Sequence, residues 1–332
     1  MMLARHAESL FWAGRQIERA EDTARMLDVT YHGLLEAMPW EAERSWKDLL
    51  KVLWLDRPFA ELEQGMRAAA VSEFLVFDPD NPGAIVSAVG GARENARAAR
   101  ELISSELWEA INSFHLELRS RNLRADVEAR PHELYGFVKR SCQMISGVAA
   151  ETMPRDDGWR FLQLGWMLER AEMTCRLLDV RYSQLVTAGA TGGFHHWLQT
   201  LKSASGSEAF RRRYRASMDP ADVVEFLLLS RTFPRSVLFC LRAVENDLAR
   251  LEAGSATLAR PQRILGRTRS DLEFLDTHEL LQGDLHVFLD QMLKGVRQVA
   301  EAVALQYFRS AQEHDFHALA PHGAVDEVGE HP

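Results

Sequence analysis

The chain has 332 residues, a net charge of −9 at neutral pH and hydrophobic residues at 46% of its positions. This length allows one large or two ordinary domains with an ample core. The acidic balance argues against nonspecific nucleic-acid binding, which requires a basic surface. Leu, Ala, Glu and Arg are abundant and β-branched residues are sparse, so the composition predicts an all-α protein.

Helical patterning runs along almost the whole chain in two series. We predict a long helix over residues 4–36, followed by shorter helices over 45–54, 59–77, 83–103, 106–119 and 133–151. We predict a second long helix over 158–188, followed by helices over 194–203, 207–215, 221–229, 235–253, 270–279 and 284–308. Asp or Asn followed by Pro is typical of a helix start, which we expect at Asn81-Pro82 and Asp219-Pro220. The pattern ends near residue 317, and we expect residues 318–332 to be disordered.

The sequence also bears on the cellular location. Arg5 and Glu8 interrupt the only stretch that resembles a signal peptide. The longest apolar run, over residues 226–229, is far shorter than the roughly 20 residues that span a bilayer. The three cysteines, Cys142, Cys175 and Cys240, are widely scattered, which favours buried free thiols over disulfides. We therefore expect a cytoplasmic protein that does not enter a membrane.

A segment near the N-terminus recurs 151 positions later. Residues 14–31 (GRQIERAEDTARMLDVTY) and 165–182 (GWMLERAEMTCRLLDVRY) share eleven of eighteen residues. Shorter matches continue at nearly the same shift, such as Trp46 with Trp197 and Glu73 with Glu225. We therefore predict an internally duplicated helical bundle. Its halves, residues 1–153 and 154–317, would be related by a pseudo-two-fold axis and packed as one domain.

The duplicated helix keeps its charged residues in register. Placed at about 100° per residue, Gly14, Glu18, Glu21, Arg25 and Asp28 fall within one arc of about 100°. Exposed ion pairs contribute only about 0–1 kcal/mol, so a solvated helix face would have no reason to keep its charges twice. We predict that this polar stripe is at least partly buried or bound to something. Its members are Glu18, Arg19, Glu21, Arg25 and Asp28, with Glu169, Arg170, Glu172, Arg176 and Asp179 in the second copy.

Two interpretations of the polar stripe remain open. One is a buried salt-bridge network, in which each stripe arginine meets carboxylates at i−4 and i+3 and the halves clasp each other. The other is a polar site that binds a ligand or performs chemistry. Apart from the arginine of its Glu-Arg pair, each copy carries three carboxylates and one arginine, so further positive charge must complete it. A carboxylate di-metal centre is disfavoured because no Glu-x-x-His pair is present, and we predict no metal or other cofactor. The arginines available within the chain are Arg19 and Arg170, or Arg93 and Arg97.

One basic cluster stands out, formed by Arg211, Arg212, Arg213 and Arg215. Such runs are common at helix ends, where positive charge complements the helix dipole. The alternative is a docking surface for an anionic partner. No serine or cysteine lies in a recognisable nucleophile motif and no glycine loop could cradle a phosphate, so the catalytic residues, if any, stay unassigned.

The same residues carry a family resemblance. The run AESLFWAGRQIERAEDTARMLDV at residues 7–29 resembles the opening of the Alpha-E family, bacterial all-helical proteins named for a Glu-Arg motif. That motif is Glu18-Arg19 here, with a second instance at Glu169-Arg170. Residues 95–112 and 225–241 are also similar to the family, so the resemblance covers roughly residues 3–310. Phe233 precedes Pro234, where the first half has Asn81-Pro82, which is one departure between the copies.

The resemblance implies a setting for the protein. Members of the family accompany circularly permuted ATP-grasp ligases, with transglutaminase-like peptidases and a proteasome-like hydrolase as frequent neighbours. We therefore expect a non-catalytic companion subunit that binds such a ligase or presents its peptide substrate. Two alternatives are an enzyme that uses the polar stripe for acid–base chemistry and a purely structural scaffold. An open cleft with perturbed carboxylates would favour the enzyme, and a closed, fully paired network would favour the companion.

Overall fold

The computed structural model describes residues 2–35, 39–188, 193–215, 218–252, 259–275, 277, 280 and 285–308. In these ranges the chain is helical and contains no β-strand, which confirms the all-α prediction. The first helices are α1 (Ala4–Gly33), α2 (Pro39–Leu53), α3 (Asp56–Ala60), α4 (Ala68–Val76), α5 (Ile85–Ala98), a 3-10 turn (Arg100–Leu102), α6 (Ser105–Ser120), α7 (Leu123–Ala129) and α8 (Pro131–Thr152). They are followed by α9 (Asp157–Ala188), α10 (Gly193–Ser203), α11 (Ser207–Tyr214), α12 (Pro220–Leu229), α13 (Val237–Leu251), α14 (Arg260–Glu273) and α15 (Leu285–Tyr307). The tail expected to be disordered, 318–332, lies outside the described residues.

Two long central helices organise the bundle. α1 and α9 have 30 and 32 residues and form the most extensive helix–helix contact in the described chain. α1 also packs against α5 and α8, and α9 packs against α13 and α15. α6 lies on α5 and α8, while α14 lies on α13 and α15. Because neighbours surround them, α1 and α9 are buried on nearly every side, and the buried hydrophobic residues of both series join in one cluster.

α1 and α9 touch each other backbone to backbone. A Cβ atom added at Gly14 would overlap the carbonyl oxygen of Leu162 and lie 3.1 Å from the amide nitrogen of Trp166. A Cβ atom at Gly165 would overlap the carbonyl oxygen of Phe11 in the same way. The obstacle in each case is helix backbone, which cannot rotate aside as a side chain can. Only glycine permits this close approach.

The two predicted proline-marked helix starts have different outcomes. Asp219 caps α12, since its carboxylate accepts a hydrogen bond of 2.8 Å from the amide of Ala221 and Pro220 occupies the first turn. The prediction for Asn81-Pro82 is wrong, because α5 begins only at Ile85. The Asn81 amide instead ties the α4–α5 turn by donating to the Phe74 carbonyl oxygen at 2.8 Å.

Other helix boundaries also depart from the predictions. The helix predicted over 59–77 is two helices, α3 and α4, because Glu63 and Gly65 adopt positive φ angles of 53° and 72° that end a helix. The helix predicted over 270–279 begins ten residues earlier, at Arg260, with Pro261 in its first turn, where the missing amide hydrogen costs nothing. The short helix α7 was not predicted at all.

The three cysteines are too deeply buried to be reactive thiols. Cys142, Cys175 and Cys240 are free and buried, as predicted. Burial raises the pKa of each thiol, to about 12 for Cys240, so none carries the thiolate needed for reactivity near neutral pH. Among the described helices, none has both the length and the apolar composition required to cross a bilayer.

The glycine contact generates the first prediction. We expect Gly165→Ala to lower the free energy of unfolding by at least about 1–3 kcal/mol, because overpacking against backbone forces the central helices apart. Gly147→Ala in α8 is the matched control, since nothing lies within 4 Å of its added Cβ. That variant should be neutral or more stable by up to about 1 kcal/mol, because alanine favours a helix interior over glycine. Urea denaturation followed by circular dichroism measures both, and equal stability of the two variants would contradict the backbone contact.

Candidate functional site

The Glu-Arg pairs of α1 and α9 bind each other across the helix crossing. The Arg19 guanidinium donates to both carboxylate oxygens of Glu169, at 2.7 and 3.1 Å. The Arg170 guanidinium donates to both oxygens of Glu18, at 2.8 and 2.6 Å. Each glutamate is only 1% exposed. We call these four residues the reciprocal clasp. Each arginine binds its glutamate in a bidentate geometry, which is the strong form of an arginine–carboxylate pair.

Two further arginines complete the network around the clasp. Arg15 Nε lies 2.6 Å from Glu169, and Arg15 Nη2 lies 2.8 Å from Glu172. On the other side, Arg235, which precedes α13, contacts Glu18 at 2.8 Å and two neighbouring carboxylates, Glu21 at 3.0 Å and Asp22 at 2.6 Å. The neutralising charges therefore come from three separate parts of the chain.

On sequence alone, two α5 arginines are further candidates to neutralise the stripe carboxylates. Arg93 and Arg97 do not reach the network, because both lie on α5 and bind Glu94, with Arg93 also donating to Asn112 at 2.7 Å. Arg15 lies one turn before Arg19 on the same helix surface, so helical spacing could have revealed it. No pattern in the sequence singles out Arg235, since the position aligned with it in the first half is Gly83.

The second stripe arginine of each helix contacts a carboxylate, as predicted. Arg25 binds Glu21, and Arg176 Nη2 lies 2.6 Å from Glu172, both at i−4. The expected contact of Arg25 with Asp28 at i+3 is wrong, because Arg25 instead donates to the Ser205 hydroxyl. Asp28 points toward a neighbouring helix.

The two ends of the network differ in charge. At one end, the carboxylates of Glu18, Glu21 and Asp22 face the guanidiniums of Arg25, Arg170 and Arg235. At the other end, the carboxylates of Glu169 and Glu172 face the guanidiniums of Arg15, Arg19 and Arg176. The Trp54 ring lies against the positive end, with the guanidiniums of Arg176 and Arg297 at 3.6 and 3.8 Å from its centre. Burial lowers the pKa of Arg297 to about 10. Aromatic faces attract such cations, so Trp54 supports the surplus positive charge.

The environment of the clasp keeps its carboxylates ionised. Burial by itself raises the pKa of Glu18, but Arg170 and Arg235 outweigh it and lower that pKa to about 2. The same opposition between burial and the arginines Arg15 and Arg19 holds the pKa of Glu169 well below its usual range. A general acid or base works best with a pKa near the working pH. Glu18 and Glu169 are therefore poorly suited to proton transfer at neutral pH.

Asp22 is the exception within the network. Burial raises its pKa to about 7 against the opposing effect of Arg235. One of its oxygens, Oδ2, is buried without a hydrogen-bond partner. The cavity beside it measures about 10 Å³, with Met26 and Thr174 among its lining residues. That volume is close to the lower limit for a single water molecule, so no substrate could reach this carboxylate.

The far end of the α1 stripe carries a second polar cluster. Asp28 is 7% exposed, and its carboxylate binds Lys139 and, at 2.7 Å, His132. His32 lies 3.3 Å from the same carboxylate. Burial raises the pKa of Asp28, but Lys139 and His132 outweigh it and hold that pKa below its usual value. On α9, Asp179 contacts His286 at 2.6 Å in a comparable way.

The cluster of Asp28, His32 and His132 bears on metal binding. Their ligand atoms lie within 4.8 Å of one another, and among the described residues this is the one group that could hold a metal ion. The Lys139 ammonium already occupies the second Asp28 oxygen, and a cation there repels a metal. These side chains form a hydrogen-bonded ion cluster in which Lys139 supplies the positive charge.

The predicted basic cluster lies on the surface. Arg211, Arg212, Arg213 and Arg215 are all exposed, on or just after α11. Two of them make surface ion pairs, Arg211 with Glu208 at 3.4 Å and Arg213 with Glu225 at 3.3 Å. These exposed ion pairs are longer than those of the clasp. The basic cluster stays a candidate docking surface.

Comparison with known proteins identifies the kind of chain to which these features belong. A model of the Alpha-E family, described as a predicted alpha-helical domain with a conserved ER motif, matches residues 2–308. The clasp is formed by the two Glu-Arg pairs of this chain. No solved structure matches the chain.

Curated relatives occur in mycobacteria. An uncharacterized protein of Mycobacterium bovis and two of Mycobacterium tuberculosis are each 28% identical to the chain over 320 residues. The matched region is 89% of this chain but 35% of each relative. The chain therefore spans about a third of the length of these relatives.

The buried clasp generates the second prediction. Glu18→Gln keeps the shape of the side chain but leaves Arg170 and Arg235 facing a neutral amide. Losing one partner of a buried ion pair typically costs about 3–5 kcal/mol, so the free energy of unfolding at pH 7 should fall by an amount of that order. Glu94→Gln is the control, because Glu94 is half-exposed and its pairs with Arg93 and Arg97 lie at the surface. It should change stability by less than about 1 kcal/mol.

The pH dependence of the same variant gives an independent check. Because the pKa of Glu18 is about 2 in the folded protein and about 4.5 when unfolded, its stabilising effect is complete above pH 4.5 and is lost as the pH falls toward 2. The stability difference between wild type and Glu18→Gln should therefore shrink between pH 5 and pH 3 in urea denaturation. A difference that stays constant or grows on acidification would contradict a buried, ionised Glu18.

Proposed function

The chain belongs to the Alpha-E family, and on this basis we propose that it is a non-catalytic helical companion of an ATP-grasp-type peptide or amide ligase. Its role is to bind the ligase or to present the substrate. The observation that carries the proposal is the closure of the clasp. The Glu-Arg motif of the family holds α1 and α9 together, and both of its glutamates, Glu18 and Glu169, are buried at the helix crossing.

The enzyme alternative has less support from the geometry. Catalysis by the polar stripe would need a carboxylate that substrate can reach and whose pKa is near neutrality. Glu18 and Glu169 are 1% exposed and bound by arginines. Asp22 has the raised pKa but lies beside a cavity of about 10 Å³. A rigid, closed centre suits a scaffold or companion, whose function depends on its outer surfaces.

We also propose that the bundle is an internal duplication with a pseudo-two-fold axis through the α1–α9 crossing. Three observations support it: the reciprocal backbone contact at Gly14 and Gly165, the reciprocal clasp, and the matching neighbours of the central helices. The halves would be residues 1–153 and 154–317. In an experimental structure, residues 14–95 should superpose on 165–246 by a rotation near 180°, and an unrelated helix order in the two halves would refute the duplication.

The docking surface for the ligase is proposed to include the basic cluster of Arg211, Arg212, Arg213 and Arg215. The α4–α5 turn at residues 78–83 is a second candidate for this surface. The loop at residues 187–193 is a third candidate, and it lies largely outside the described residues. A transglutaminase-like peptidase of the same pathway is a possible further partner. We propose neither a nucleic acid nor a membrane as a partner, and no cofactor.

A reconstitution experiment tests this function. Adding the chain to its cognate ATP-grasp protein should raise the rate of peptide or amide formation, whereas the chain alone should hydrolyse no ATP. The double charge reversal Arg211→Glu and Arg213→Glu should weaken the stimulation, because an anionic partner surface would be repelled. Arg119→Glu with Arg124→Glu is the matched control, since both arginines are exposed and Arg124 makes a similar surface ion pair, at 3.2 Å to Glu73.

The outcomes separate the three functions. A ligase whose turnover is unchanged by the chain, with no complex detected, would contradict the companion role and favour a structural scaffold. Turnover of a small peptide or amino acid by the chain alone, abolished by Glu18→Gln in a variant that still folds, would establish the enzyme alternative. Equal effects of the two double reversals would exclude the basic cluster as the docking surface.

A further inference from the structure

A polar cleft opens on the surface between the start of α9 and the end of α13. Its volume is about 260 Å³, and its walls include Arg155, Trp159, Arg160, Asp247 and Arg250. It is separate from the clasp and shares no residue with it. The volume is below the roughly 300–1,000 Å³ of sites for drug-sized molecules, so it suits a ligand of about one or two amino-acid residues.

The floor of the cleft holds a carboxylate with an unused acceptor. Asp247 is 3% exposed, and its Oδ2 atom is buried without a hydrogen-bond partner. Burial raises the pKa of Asp247 to about 7, although Arg160 and Arg250 oppose the shift. A buried acceptor left without a donor is costly and uncommon. Asp247 therefore lines the cleft with an acceptor that the described chain leaves unsatisfied.

The walls supply unused donors and positive charge. Arg160 holds Asp157 at 3.0 Å and the Arg155 carbonyl oxygen at 2.7 Å, but its buried Nε has no hydrogen-bond partner. Arg250 is exposed, and within the described chain only its Nε makes a contact, at 3.4 Å to Asn246. The guanidiniums of Arg160 and Arg250 thus lie close enough to Asp247 to act on its carboxylate, and Arg155 is a third cation of the cleft wall. The first turns of α9 add the positive end of a helix dipole, so an anion is attracted here.

Trp159 provides an apolar surface beside these charges. The Arg155 guanidinium lies over its ring at 3.9 Å from the centre and is fixed by hydrogen bonds to the carbonyl oxygens of Met153 and Ala150, at 3.0 and 2.6 Å. Arg155 is therefore already held in place, while the free donors of the cleft belong to Arg160 and Arg250. Arg160 is also held in place, by Asp157 and the Arg155 carbonyl oxygen, and a binding group that is positioned before any ligand arrives lowers the entropy cost of binding.

We infer that this cleft binds an α-carboxylate with an adjacent N–H donor, that is, a free amino acid or the C-terminal residue of a peptide. The ligand carboxylate lies against Arg160 and Arg250, its ammonium or amide N–H donates to Asp247, and its side chain lies beside Trp159. A simple anion such as phosphate uses only the arginines and is repelled by Asp247. The inference stands on the residues of the cleft and does not require the partnership with a ligase. If that partnership holds, the cleft is the place where substrate is presented.

Isothermal titration calorimetry on the full chain tests the inference with L-glutamate and with the dipeptide L-alanyl-L-glutamate. At least one of the two should bind at one site per chain, with the two probes distinguishing a free amino acid from a peptide C-terminus. Two analogues serve as controls: glutarate lacks the α-nitrogen of glutamate, and the α-methyl ester of glutamate lacks the charge of the α-carboxylate. Each should bind at least about tenfold more weakly, a difference of about 1.4 kcal/mol.

Two variants locate the site without threatening the fold. Arg250→Gln removes an exposed guanidinium, and Asp247→Asn changes a carboxylate whose buried Oδ2 atom makes no hydrogen bond, so both should unfold at a temperature close to that of the wild type. Each should weaken binding by at least about tenfold. Arg263→Gln is the matched control, because Arg263 is exposed on α14, makes no ion pair in the described chain and does not line the cleft.

Defined results would overturn the inference. The site would be excluded if neither probe bound at concentrations up to about 10 mM. It would also be excluded if both cleft variants left the binding unchanged. Phosphate competing equally well in wild type and Asp247→Asn would show an anion site that ignores the nitrogen donor. Binding without any effect on a ligase would leave the cleft established and count only against the companion role.

Discussion

The reciprocal clasp between α1 and α9 is the constraint on which the rest of the structure depends. Two glutamates with 1% exposure lie at a helix crossing, where an unpaired charge would cost several kcal/mol. Each is held by an arginine of the other helix, with donor–acceptor distances of 2.6–3.1 Å. This geometry requires the two helices to approach as closely as Gly14 and Gly165 allow. The glycines and the ion pairs therefore specify one crossing together, because either set fails at a different separation or register.

Such a network is better suited to specifying a geometry than to performing chemistry. A buried ion pair can be neutral in net stability compared with apolar packing, but it strongly disfavours alternative registers that leave a charge unpaired. The pKa of Glu18 is far from the range useful for proton transfer at neutral pH. In this chain the residues of the family motif hold the two central helices together. On our proposal, what the protein binds is decided by other surfaces, including the basic cluster and the cleft between α9 and α13.

The two copies of the sequence repeat are alike at the crossing and different around it. Arg15 aligns with Trp166, and Asp22 aligns with Met173, so the network has balanced charges at one end and surplus positive charge at the other. The cleft follows the same rule, since Asp247 aligns with an alanine of the first copy, at position 96. These differences lie in side chains around the crossing, whereas the glycines and the Glu-Arg pairs that form it occur in both copies.

The sequence by itself determined the all-α class, the two long central helices and the charged residues that become buried. Helix propensity and hydrophobic periodicity are local properties that can be read from the sequence. The repeated charge stripe indicates burial or binding, because exposed ion pairs contribute little to stability. Only the tertiary structure decided which arginines neutralise Glu18 and Glu169. It also decided whether the stripe is open, and that the start of α9 meets the end of α13 in a cleft. Arg235 lies more than two hundred residues from Glu18 in the chain. Local pattern states which face of a helix is buried, but the partner of that face is set by packing across the whole bundle.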